Sequence, residues 1–220
     1  MGDSAVRYAD YTLASFSDAL ASDAPVPGGG SASAVAASLA ASLLVMVARL
    51  STGRPKYAAY TASHERAIAA GEAARHRFLE LADEDATAYA AFGAARKLPK
   101  DTPEQDAARS SAVRLAARGA AGVPLEVVRN CHALVQLIES VTGRSNVNAA
   151  SDLDVAALLA QAAARGAGAN VIINLPSVED ARYAGMTLAE LEGWLHDIEA
   201  IVAGVHSQVR SGSLREAEAP

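Results

Sequence analysis

Asp85 is the residue whose chemistry conflicts most with its place in the sequence pattern. Phe78, Leu81, Tyr89 and Phe92 recur at helical spacing, and Asp85 falls on the same stripe. A carboxylate among apolar neighbours is costly unless it is paired, protonated or facing a cavity. Burial raises a carboxyl pKa and suits the group to general acid–base work. The plain structural alternative is a buried carboxylate satisfied by an arginine or a helix end. Asp83 and Glu84 beside it leave the stripe and read as solvated.

Three further polar groups stand out. In Pro25-Val26-Pro27-Gly28-Gly29-Gly30-Ser31-Ala32-Ser33, prolines and glycines lead into an uncharged run. This reads as a turn feeding a helix N-terminus, with Ser31 or Ser33 as cap. Free N–H groups there suit an anion or a polarised carbonyl. Asn146-x-Asn148-x-x-Ser151-Asp152-x-Asp154 is equally compatible with helix-start chemistry, Ser151 capping and Asp152 and Asp154 favoured by the dipole. Asn170 and Asn174 lie four apart in an apolar run; on a helix they share a face, and otherwise they are a loop and a capping asparagine.

Other chemistries find no pattern. The five histidines show no metal-ligand spacing with Cys131 or a carboxylate. No Ser-His-Asp arrangement is legible, and the glycines lack the Gly-Lys-Ser/Thr of a phosphate loop.

The elements that must hold these residues are helical. Alanine makes up nearly a quarter of the 220 residues, and hydrophobic residues 51%, with only 5% aromatics. Such a composition favours closely packed helices over strands. Periodicity predicts helices over Tyr11–Ala21, Ser31–Leu50, Lys56 to about Lys97, Asp101 to about Ala121, Leu125–Thr142, Ser151–Arg165 and Met186–Arg210. In the second, Ser33, Ala37 and Ala41 form a small-residue side opposite Val35, Leu39, Leu43, Met46 and Leu50. Ala169–Pro176 is the one β-like run, without a pairing partner, and the tail 211–220 reads as polar and frayed. The expectation is an all-α single domain over 1–220, with about seven to nine helices.

A net charge of −6 leaves no electrostatic footprint for nucleic acid. Ala32–Ala48 is uncharged and almost long enough to span a bilayer, but its serines and alanines fit a buried helix better. A single cysteine and an N-terminus without a basic region leading into an apolar one suit a cytoplasmic setting.

The ordered set Pro27-Gly28-Gly29-Gly30-Ser31-Ala32-Ser33-Ala34, Leu81-Ala82-Asp83-Glu84-Asp85, Arg96-Lys97-Leu98-Pro99-Lys100, Asn146-x-Asn148-x-x-Ser151-Asp152 and Asn170-Val171-x-x-Asn174-Leu175 resembles the cyclodeaminase/cyclohydrolase family acting on tetrahydrofolate one-carbon adducts. The resemblance runs from about Tyr11 to Val209. Arg49-Leu50-Ser51-Thr52-Gly53 departs from it in being more basic, and Gly143-Arg144-Ser145 in separating Gly143 from Asn146. It implies an all-helical homodimer with a folate cleft, no metal and no cofactor beyond the tetrahydrofolate substrate. In that light Asp85 would carry protons and Asp152 would hold the cationic amidinium or the pterin. Asn148, Asn170 and Asn174 would orient water or pterin edges, and Ser151 belongs to the same binding set. Gly28, Gly29, Gly30 and Ser31 would offer backbone N–H groups to a folate carbonyl or carboxylate. Lys56, Lys97 and Lys100 are candidates for the glutamate tail.

Two reactions fit that family. A methenyltetrahydrofolate cyclohydrolase is favoured here because the chain reads as free-standing, without a formiminotransferase domain. A formiminotetrahydrofolate cyclodeaminase is the alternative, and a non-catalytic folate-binding dimer the third reading.

Overall fold

In the computed structural model, residues 7–216 are described, and their regular elements are all helical. Six α-helices carry the fold: α1 (Leu13–Leu20), α2 (Gly29–Ser51), α3 (Thr61–Arg96), α4 (Pro103–Val141), α5 (Ala150–Asn174) and α6 (Ala181–Ser211). The count is slightly below the expected range, because two predicted helices are one. Helices α2, α3, α4 and α5 pack each against the next, and α5 closes back on α2. Neighbours in this ring run antiparallel, and α6 lies across α4 and α5.

The ring closes tightly because the side chains between its helices are small. Ser33, Ala37 and Ala41 of α2 are buried, while Leu39, Met46 and Leu50 on its other side are exposed. Close approach is visible at Gly71 of α3, where a Cβ would stand 2.6 Å from Val45 Cγ2. Gly166 of α5 likewise sits against Ser33, whose Oγ would be 2.5 Å from an added Cβ. Phe78, Leu81, Leu134, Ile138, Leu153, Leu191 and Ile198 fill the core these helices enclose.

Three sequence expectations need correction. The break expected at Gly122-Val123-Pro124 is absent: α4 runs continuously through Pro124, whose ring is buried in the core. The β-like run 169–176 is the last turn of α5 and the 3-10 turn after it, Leu175–Val178. An alanine-rich helix already nucleated propagates through Val171, Ile172 and Ile173, and no strand is available to pair with them. Of the tail, Ser211 ends α6 and residues 212–216 lie docked, while 217–220 fall outside the described residues. Arg215 N–H donates to Gly143 O at 2.8 Å, and Tyr60 Oη donates to Arg215 O at 2.6 Å.

Helix starts also differ from expectation. Thr102 caps α4, accepting from Gln105 N–H. Gly28 stands at the N-cap of α2 without a side-chain bond, so neither Ser31 nor Ser33 caps it. Ser33 Oγ instead donates to Gly29 O, one turn back. Helix α5 begins at Ala150, so Ser151 lies inside its first turn rather than capping it.

Candidate active site

Where α2 begins, it meets the C-terminal half of α3, the middle of α4 and the end of α5. Between them lies a cleft of about 340 Å³ lined by Pro25, Val26, Gly28, Gly29, Gly30, Asp85, Tyr89, Ala120, Asn170, Ile173 and Asn174. Phe78 and Leu81 keep the stripe of α3 in the core, and Tyr89 emerges half exposed at the far end. Asp85 therefore sits where that stripe passes from the core into the cleft. This is the cavity-facing solution to a carboxylate on an apolar stripe.

The Asp85 carboxyl lies against the start of α2. A Cβ on Gly30 would come within 2.2 Å of Asp85 Oδ1, so the absence of a side chain there is what admits the carboxyl. The sequence expectation gave the backbone of Gly28, Gly29 and Gly30 to a ligand. A Cβ at Gly29 meets nothing nearer than Asn170 Nδ2 at 3.4 Å, and at Gly28 nothing nearer than 3.7 Å. The anion that the α2 N-terminus attracts is thus the protein's own Asp85. Burial raises the Asp85 pKa above its ordinary 3.8, opposed by hydrogen bonds from the Ser31 hydroxyl and backbone.

Ser31 is fully buried, so its hydroxyl serves Asp85 rather than a ligand. Ser31 Oγ lies 2.9 Å from Asp85 Oδ2 and 3.0 Å from Ala82 O. A hydroxyl has one proton and cannot donate to both at once. With Asp85 ionised, Ser31 donates to the carboxylate. With Asp85 protonated, the carboxyl donates to Ser31, which turns its own proton to Ala82 O. Both states are satisfied without moving a heavy atom, as a group that gains and loses a proton requires.

On the opposite wall the two asparagines share a face of α5. Asn170 Nδ2 donates to Gly166 O, and Asn174 Nδ2 donates to both Ala120 O and Asn170 O, each at 2.9 Å. Tyr8, outside the sequence reading, packs nearby. Its backbone N–H donates to Asp83 Oδ1 at 2.7 Å. Asp83 is thereby a partly buried anchor with a raised pKa, not a solvated carboxylate. Glu84 pairs with Arg77 at 2.5 Å.

The remaining expected residues are not brought together with Asp85 in the protomer. Asp152 and Asn170 stand near opposite ends of α5, about 27 Å apart at ~1.5 Å per residue. Asn148 and Ser151 share the Asp152 end and are exposed. Lys56 follows the C-terminus of α2, which is roughly 33 Å long from the glycine turn. At this end Asn146 N–H donates to Ser51 Oγ at 2.8 Å and Val147 N–H to Tyr57 Oη at 3.1 Å, tying the α4–α5 connection to α2. Lys97 and Lys100 follow the end of α3, Lys97 about 18 Å along its axis from Asp85, at the cleft end of the bundle.

A larger groove of about 460 Å³ runs between α2 and α3 beside Arg49, Glu72 and Arg75. There Glu72 is shared by Arg49 at 3.0 Å and Arg75 at 2.6 Å, so its charges answer one another. Among the described residues no group of three or more His, Cys, Asp or Glu could hold a metal ion.

Comparison with known proteins agrees with this architecture and extends over most of the chain. Residues 12–193 match the formiminotransferase-cyclodeaminase family, and the chain belongs to it. It is 36% identical over 200 residues to the methenyltetrahydrofolate cyclohydrolase of Methylorubrum extorquens, covering 91% of this chain and 96% of that protein. It is 32% identical to the formimidoyltransferase-cyclodeaminase of Rattus norvegicus, spanning 88% of this chain but 36% of the longer relative. The formiminotetrahydrofolate cyclodeaminase structure from Thermotoga maritima superposes with a TM-score of 0.84 at 29% identity. That match covers 92% of this chain and 98% of the other. A solved protein named as a folate enzyme thus shares the fold over 92% of this chain.

Proposed function

We propose that the chain is a methenyltetrahydrofolate cyclohydrolase, converting 5,10-methenyltetrahydrofolate to 10-formyltetrahydrofolate. The observation that carries the reading is Asp85, a carboxyl with a raised pKa in a cleft, in a chain that matches a cyclohydrolase over 91% of its length. Asp85 as carboxylate takes a proton from water as its oxygen adds to the amidinium carbon between N5 and N10. The tetrahedral adduct then breaks its bond to N5 as its hydroxyl becomes the formyl C=O: the acid form of Asp85 gives its proton to N5, and the hydroxyl proton leaves to solvent. The formyl group stays on N10. The carboxylate also favours the cationic substrate, while Asn170 and Asn174 orient the pterin or the water from the facing wall.

A second reading, cyclodeaminase, is supported by the close superposition on the Thermotoga maritima protein. There N10 attacks the formimino carbon of 5-formiminotetrahydrofolate and ammonia departs from the same kind of adduct. Purified protein offered each substrate separates the two. Loss of methenyl absorbance above the spontaneous rate supports the cyclohydrolase; ammonia release with methenyl formation replaces it with the cyclodeaminase.

The reading uses no cofactor beyond the folate and places the chain in the cytoplasm as a homodimer, without nucleic acid or membrane as partner. Leu39, Met46 and Leu50 expose one side of α2, and Val155, Leu158, Ile172 and Ile173 project from the adjoining α5. That apolar surface supports self-association. Helix α2 is long and apolar enough to cross a membrane, yet its small-residue side packs against α3 and α5. Lys97 is the candidate for the glutamate tail that its position favours.

A further inference from the structure

Pro124 stands in the interior of a 39-residue helix, where a proline is ordinarily disfavoured. It has no N–H to offer the carbonyl one turn before it, and its ring pushes that carbonyl outward. The carbonyl is that of Ala120, a residue lining the cleft. Its oxygen accepts instead from Asn174 Nδ2 at 2.9 Å. The second Nδ2 hydrogen goes to Asn170 O, also at 2.9 Å. With both hydrogens committed, what Asn174 has left for a ligand is Oδ1, an acceptor.

We propose that Pro124 is a positioning residue of the cleft, which frees the Ala120 carbonyl to fix Asn174 as a hydrogen-bond acceptor toward the ligand. A fixed acceptor recognises a ligand edge rich in N–H donors. On the folate reading above, on which this ligand assignment rests, that is the amino-oxo edge of the reduced pterin. Pro124 touches no substrate and acts only through α4 and Asn174. The same residue that weakens the helix therefore sharpens the site.

Pro124→Ala restores an N–H and lets the Ala120 carbonyl return to the helix ladder. The variant should melt at a higher temperature than the parent and yet bind more weakly. With 5-formyltetrahydrofolate as a non-reacting probe, calorimetry should show Kd raised about five- to tenfold, the loss of one hydrogen bond. Asn174→Ala should weaken binding at least as much, and the double variant no more than Asn174→Ala alone. Pro124→Ala binding as tightly as the parent, or two penalties that add in full, would overturn the proposal. A parent protein that binds no folate would defeat the ligand reading alone. In that case the Asn174 side-chain amide, followed by NMR, still decides: its exchange with solvent should quicken in Pro124→Ala, and unchanged exchange overturns the positioning role.

Discussion

Asp85 and Gly30 form a single device, a carboxyl admitted to a helix start by a missing Cβ. In Asp85→Asn the proton carrier is lost, and kcat should fall about 10²-fold or more. The sign of the stability change is opposite. Burial raises the folded pKa of Asp85 above 3.8, so the native state holds a proton that the unfolded chain has released. That contribution is present at low pH and is lost as pH rises from 3.8 through the folded pKa. Above the folded pKa the ionised carboxylate is therefore a burden, and there Asp85→Asn should melt no lower than the parent. The kcat profile should show an acid limb above 3.8 that disappears in the variant. Gly30→Ala should displace the carboxyl and depress turnover strongly, whereas Gly29→Ala should be tolerated, as steady-state kinetics of the pair would show. Equal activity in both variants would remove the steric role given to Gly30.

At the scale of the element, the site depends on how closely α2, α3, α4 and α5 approach. Gly71 faces Val45 across the α2–α3 seam with no room for a side chain. Gly71→Val should lower stability by about 1–3 kcal/mol through overpacking, measurable by chemical denaturation. The periodicity of α3 was enough to single out Asp85, since a carboxylate on an apolar stripe is visible without coordinates. Its partner was not, because nothing local in Gly28-Gly29-Gly30-Ser31 says which carboxylate meets that helix start. Asn170 and Asn174 were visible as a pair four apart, but β-branched neighbours suggested a strand. The tertiary packing of Val171 and the preceding alanine-rich turns overrode that preference. Pro124 was read as a helix break because the sequence gives no view of the α4 surface that buries its ring.

Across the whole molecule, order along the chain misleads about distance. Asp152, Asn148 and Lys56 sit beside motifs of the same family resemblance, yet the lengths of α2 and α5 carry them to the other end of the bundle. There they belong to a region with its own architecture. His64 is fully buried beneath the docked C-terminal segment, with Nε2 3.1 Å from Arg144 O and 3.2 Å from Ser145 Oγ. Its Nδ1 has no hydrogen-bond partner. Burial holds the His64 pKa below 6.5. The unfolded chain therefore binds this proton first, so the neutral imidazole's contribution is present above 6.5 and is lost as pH falls below it. Melting temperature should decline on acidification from that value, and the decline should be shallower in His64→Gln.

The central claim is that Asp85 carries the proton in hydrolysis of a methenyl-bridged folate. Its most direct test is the decay of methenyl absorbance on adding purified protein, corrected for spontaneous hydrolysis, in the parent and in Asp85→Asn. The account predicts rapid catalysed decay in the parent and a rate lower by about 10²-fold or more in the folded variant. A parent no faster than the spontaneous reaction, or a variant as fast as the parent, would contradict it.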